Sequence, residues 1–159
     1  MLSRNGEYGN AVLSRLPVLA IKRVELTIGN REPRGALDVL VDVTRGPLRV
    51  LSTHLGLRPY ERRHQVRVLL AHLDRQAVVP TVLMGDLNEW YLWGRPLRWL
   101  HARFQRTAAP ATFPASRPVL ALDRIWVDPP HLGSRLRVHA TATARIASDH
   151  LPLVIDLAT

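Results

Sequence analysis

A run of apolar residues that stops on a glycine and two polar side chains constrains this chain more than any other stretch. Thr81-Val82-Leu83-Met84 suits a sheet interior, with Pro80 tolerated at the first position of a strand. Gly85 lets the backbone turn sharply, so Asp86 and Asn88 leave the C-terminal end of a buried strand. Strand ends are where chemistry is commonly mounted on a rigid scaffold. A carboxylate beside an amide there can orient a water, hold a divalent cation or hydrogen-bond a phosphate oxygen. The alternative is a turn in which both residues cap backbone groups, and this stretch alone does not choose between them.

Strand and helix signals surround this stretch. Residues 1–8 are polar and read as loop, and residues 9–15 read as a short strand ended by Pro17. Residues 18–28 alternate imperfectly, with Leu19, Ile21, Val24, Leu26 and Ile28 as inward candidates. Residues 36–43 and 48–53 form a predicted hairpin across Thr44-Arg45-Gly46-Pro47, with Asp38 and Asp42 on a polar face. A helix is expected over residues 60–77, where Val66, Leu69, Leu70 and Leu73 share one side and Arg62, Arg63, Arg67 and Arg75 a solvated one. Trp90, Trp93 and Trp99 read as plugs for the end of a core, before a short helix around residues 96–102. Strands follow over residues 120–127, 136–142 and 151–157. This order predicts an α+β protein with two packed sheets and helices outside.

The 159 residues suit a single domain with a real core, and no apolar run is long enough to cross a membrane. Cysteine is absent, which excludes disulfides and thiolate metal sites and fits a cytoplasmic, reducing compartment. The net charge is +9, carried by arginine, with Lys22 the only lysine. Such a chain favours polyanions, whether nucleic acid, anionic lipid head groups or phosphate esters. The arginine bias can equally reflect the base composition of the gene.

Four polar groups sit at or beside strand ends: His54, the Asp86/Asn88 pair, Asp123, and the Asp149/His150 pair. Carboxylates with an amide and imidazoles suit hydrolysis of a phosphate ester, which needs a cation, a positioned water and donors to the non-bridging oxygens. Without thiolates, this donor set favours Mg²⁺ or Mn²⁺.

Seven segments then fall in a familiar order. They are Gly9-Asn10-Ala11-Val12-Leu13-Ser14-Arg15, Arg34-Gly35-Ala36-Leu37, Ser52-Thr53-His54-Leu55, Gly85-Asp86-Leu87-Asn88, Thr112-Phe113-Pro114, Leu122-Asp123-Arg124-Ile125 and Ser148-Asp149-His150-Leu151-Pro152. In this the chain resembles the endonuclease/exonuclease/phosphatase superfamily of metal-dependent phosphoesterases. The resemblance implies a two-sheet β-sandwich flanked by helices, in four α/β/β/α layers, with the site at one end of the sheets. It implies that His150 contacts the scissile phosphate, that Asp123 orients it, and that Asp86 and Asn88 align the attacking water. His54 becomes a phosphate contact, and Asp149, Asp86 and Asn88 the metal-associated residues.

The family's pattern also includes an N-terminal strand, helix and strand closing in Gln-Glu, whose Glu is the principal metal ligand. Glu7, Glu25 and Glu32 have other surroundings. Residues 1–159 are therefore expected to form one domain without that segment, with weakened Mg²⁺ binding and low activity. The alternative function is a catalytically impaired remnant that binds nucleic acid or anionic membrane. Substrate stays open among nucleic acids, phospholipids, inositol phosphates and nucleotides.

Overall fold

The computed structural model describes residues 9–158, so the loop expected over residues 1–8, Glu7 included, lies outside the described residues. Strands β1 (Val18–Glu25), β2 (Gly35–Val43), β3 (Gly46–His54), β4 (Thr81–Asp86) and β5 (Asp123–Asp128) make one sheet in that order. Every neighbouring pair is antiparallel except β3 and β4, which run parallel. A parallel step needs a crossover, and helix α1 (Pro59–Asp74) supplies it. Strands β6 (Gly133–Val138) and β7 (Leu153–Leu157) form a second, antiparallel sheet. Helices α2 (Arg95–Phe104) and α3 (Ala142–Ala147) complete the set.

Period-two alternation divides the large sheet into two apolar faces. On one, Val24, Ala36, Leu51, Leu83 and Trp126 pack against Val66 and Leu69 of α1 and Leu97 and Leu100 of α2. On the other, Val39, Val41, Val82, Ile125 and Val127 meet Leu136, Leu153 and Ile155 of the small sheet. The result is the expected α+β sandwich of two sheets with helices outside.

Several sequence expectations need correction. Residues 9–15 form no strand, and Leu13 is 98% exposed. In β1 only Val24 is buried, while Leu19 and Ile21 are exposed because the second layer does not extend over this edge strand. The strand expected over residues 136–142 runs instead over Gly133–Val138, and Ala142 opens α3, whose N-terminus is capped by the Thr141 hydroxyl accepting from Ala144 N at 3.1 Å. The face of β2 expected to be polar lies under α1, where Asp38 is buried against Arg49 Nε at 3.1 Å and His72 Nε2 at 2.7 Å. Trp99 packs on the helix-side core, but Trp90 and Trp93 are exposed.

Candidate active site

Strand register assembles the site. In the parallel pair, Thr53 sits opposite Gly85 and His54 opposite Asp86; in the antiparallel pair, Asp86 sits opposite Asp123. Three adjacent strands therefore present His54, Asp86 and Asp123 side by side at one end of the sheet. The approach of β3 and β4 is close at Gly85, where a Cβ would lie 1.8 Å from the Thr53 carbonyl oxygen. Its φ of +146° is a second reason for glycine there.

The segment between α3 and β7 brings the remaining groups. Leu151 N donates to Thr112 O at 2.9 Å and Ala115 N donates to Asp149 O at 2.7 Å, which fixes Asp149 and His150 beside the sheet end. His150 Nδ1 lies 2.8 Å from Asp123 Oδ2, and the Thr112 hydroxyl donates to the same oxygen at 2.6 Å. The Phe113 ring stands 4.8 Å from the imidazole between centroids. His150 is thus held in one orientation by a carboxylate on one nitrogen and a ring against its face. Its Nε2 lies 3.9 Å from Asp86 Oδ2, and His54 Nε2 lies 3.3 Å from that same atom. Asp86 Oδ1 accepts from Asn88 N at 2.8 Å, while Asn88 Nδ2 donates to Leu55 O at 2.9 Å. Asn88 is buried with φ +50°, a left-handed conformation that asparagine tolerates.

All six residues singled out in the sequence line one cleft: His54, Asp86, Asn88, Asp123, Asp149 and His150. Leu57, Trp90, Phe113, Leu122 and Ser148 share its wall. Arg34 lines it too; the sequence marks it only as the start of a family segment and assigns it no site role. Thr112 was visible only within a motif and not as the partner of Asp123. His72 lies elsewhere, paired with Asp38, and His101 lies beside Trp126.

The two imidazoles are pushed in opposite directions. Burial disfavours the charged form of His54, the nearby Arg34 cation adds to this, and its pKa is lowered despite Asp86. Burial acts the same way on His150, but the hydrogen bond it donates to Asp123 and the charges of Asp123, Asp86 and Asp149 outweigh it and raise its pKa.

One ligand atom each from Asp86, Asp123 and His150 lie within 4.8 Å of one another, a compact group that could hold a metal. The family resemblance implies Asp149, Asp86 and Asn88 as the metal-associated residues, and Asp86 is common to that set and this carboxylate–imidazole group. Asp123 and His150 come close because they bond each other, whereas the Ser148 hydroxyl lies 3.4 Å from Asp149 Oδ1. Asp86 and Asp123 offer carboxylate oxygens to this group, and oxygen donors fit a hard divalent cation.

The sequence profile of the Endonuclease/Exonuclease/phosphatase family matches residues 2–150. YbhP of Escherichia coli K12, an uncharacterized protein, is 32% identical over 161 aligned positions, covering 96% of this chain and 63% of YbhP. The chain thus spans a little under two thirds of the curated relatives it matches. Among solved structures, a conserved protein of unknown function from Enterococcus faecalis V583 superposes with a TM-score of 0.74 at 21% identity, over 89% of this chain and 67% of that one. The mannosyl-6-phosphatase Bt3783 of Bacteroides thetaiotaomicron superposes with a TM-score of 0.66 at 15% identity, over 91% and 67%. At such identities the structural likeness speaks for the fold, and the profile match across nearly the whole chain speaks for descent. The chain belongs to the endonuclease/exonuclease/phosphatase family.

Proposed function

We propose that this protein hydrolyses phosphate esters with the help of a divalent cation, by direct attack of water on phosphorus. One observation carries the reading: His150, tied to Asp123 at 2.8 Å, faces Asp86 across 3.9 Å in a cleft shared with His54. A protonated imidazole opposite a carboxylate supplies an anion-binding donor and a proton acceptor on either side of one small space. The naming of one structural neighbour as a mannosyl-6-phosphatase supports phosphate esters as the substrate class.

In this reading Asp86 aligns the water and takes its proton, while Asn88 holds that carboxylate through its backbone N–H. The water oxygen bonds to phosphorus as the ester P–O bond breaks. The departing alcohol oxygen keeps the electron pair and takes a proton from bulk water. His150 Nε2–H donates to a non-bridging oxygen, Asp123 keeps the ring protonated and oriented, and His54 contacts a second phosphate oxygen. Oxygens of Asp86, Asn88 and Asp149 would hold Mg²⁺ or Mn²⁺, which supplies neutralisation of charge building on the phosphate.

The test is hydrolysis of p-nitrophenyl phosphate and its bis-ester, with Mg²⁺ or Mn²⁺ and with EDTA. Turnover should need the cation, and Asp86→Asn and His150→Ala should each lower it by roughly 10²–10⁴-fold. Turnover indifferent to EDTA, or unchanged in Asp86→Asn, would sink the proposal.

A further inference from the structure

The cleft opens beside a rim that a soluble domain has no folding reason to display. Leu57, Trp90, Tyr91, Leu92 and Trp93 are between 54 and 73% exposed, and two of them, Leu57 and Trp90, line the cleft itself. They sit on two loops that one buried ion pair binds together. Arg62, at the start of α1, donates to Leu57 O at 2.5 Å and from Nε to Glu89 Oε2 at 3.2 Å. The second loop is ordered by its own bonds: Tyr91 N donates to Glu89 Oε1 at 3.3 Å and Gly94 N to Tyr91 O at 2.9 Å. The apolar side chains are therefore held out by construction. Contiguous exposed apolar surface of this kind marks an interaction site.

Charge says what covers it. Across residues 57–63 and 89–95 both carboxylates, Glu61 and Glu89, are buried. The charges left in contact with solvent are all cationic: Arg58 and Arg95 are exposed and Arg63 half-buried. Arg63 and Arg95 line a groove together with Tyr91, directly beside the apolar tip. An aromatic and aliphatic tip flanked by arginines on its groove side is complementary to an anionic bilayer, where indole and phenol rings settle at head-group depth, leucines reach the acyl boundary and guanidiniums meet lipid phosphates. Single-stranded nucleic acid fits less well. It asks for successive rings along a groove, whereas here Leu92 interrupts the rings and Leu57 flanks them, neither offering a π face.

We propose that the Leu57/Trp90–Trp93 rim docks this protein on an anionic phospholipid surface, with the cleft mouth facing the head groups. Docking does not depend on the hydrolytic reading, although the two together make a lipid-borne phosphate the natural substrate.

The experiment is flotation of the full chain with vesicles of phosphatidylcholine alone and of phosphatidylcholine and phosphatidylglycerol in equal parts. The protein should float with the anionic vesicles, and Leu92→Ala/Trp93→Ala should need about tenfold more lipid for half-binding. Neither residue lines the cleft, so hydrolysis of soluble p-nitrophenyl phosphate and the melting temperature should stay unchanged in this variant. No flotation with anionic vesicles, or equal flotation of the variant, overturns the proposal. So does loss of oligodeoxythymidine binding in the variant with vesicle binding intact, which would assign the rim to nucleic acid. Lack of turnover with intact flotation would count against the hydrolytic reading and leave docking standing.

Discussion

At the scale of single residues, the site rests on one position that tolerates no side chain. Gly85 combines φ +146° with a Cβ position 1.8 Å from the Thr53 carbonyl oxygen. Backbone cannot swing aside as a flexible side chain would, so Gly85→Ala must spread the β3–β4 pair that aligns His54 with Asp86. A loss of more than about 3 kcal/mol in urea unfolding is expected, and a loss below about 1 kcal/mol would show that the strands separate easily. His150 gives a prediction of opposite kind. Its burial favours the neutral ring, yet the Asp123 hydrogen bond and the surrounding carboxylates raise its pKa. A group with a raised folded pKa contributes stability in full below its unfolded pKa, near 6.5, and loses that contribution as pH rises through the higher folded value. Asp123→Asn removes the largest raising influences, so the His150 ring should titrate at lower pH in NMR. If the imidazolium binds phosphate, the alkaline limb of the activity profile should move down with it; an unmoved resonance would remove Asp123 from this role. Much at this scale was legible in the sequence, because His54, Asp86 and Asp123 each terminate or begin a readable strand. Arg34 was legible only as the start of a family segment and not as a cleft residue, since a cation inside a turn of Asn, Pro and Gly carries no periodic signal.

At the scale of elements, the loops of the site are tied to α1 from within. Arg62 and Glu89 have side chains only 2 and 4% exposed, and they pair at 3.2 Å. Gln65 on the same helix accepts from Gly56 N at 2.8 Å and donates to Leu26 O at 3.2 Å. Arg62→Met leaves a buried carboxylate without its partner and should cost about 3–5 kcal/mol in urea unfolding. Arg62→Met/Glu89→Leu should recover part of that loss, because Glu89 is no longer stranded, although buried Arg124 loses the neighbouring Glu89 charge. A double variant no more stable than the single one would show that Glu89 is not stranded by loss of Arg62. The helix itself was plain from its apolar spacing, with an expected span of residues 60–77 against Pro59–Asp74. Arg62 was misplaced on a solvated face because periodicity assigns every charged residue to water, and it cannot see a carboxylate that arrives from another loop. Asp38 was misread in the same way: alternation marks a polar face, but Arg49 and His72 reach it only after β3 and α1 have packed.

At the scale of the whole molecule, the second apolar face of the large sheet is wider than the layer that covers it. Ile21 of β1 lies opposite Val39 in the ladder, and Val39 is buried beneath that layer while Ile21 is 63% exposed. Val18, which lies opposite buried Val41 beyond a β-bulge, is 47% exposed. Among the described residues no strand pairs with the outer edge of β1, so an unpaired ladder edge coincides with uncovered apolar side chains. Edges of this kind template pairing with another chain unless charge blocks it; on β1 Lys22, bonded to Gln76 Oε1 at 2.7 Å, and Arg23 leave residues 18–21 uncharged. Residues 1–159 taken alone should therefore self-associate with rising concentration in sedimentation velocity, and Ile21→Lys should suppress it. Because the side chain is exposed, the substitution should change unfolding free energy by no more than about 0.5 kcal/mol. Vesicle flotation should also survive it, since the rim and β1 share no residue. Association unchanged by Ile21→Lys would place the contact elsewhere, and the exposed rim of Trp90–Trp93 would be the next surface to vary.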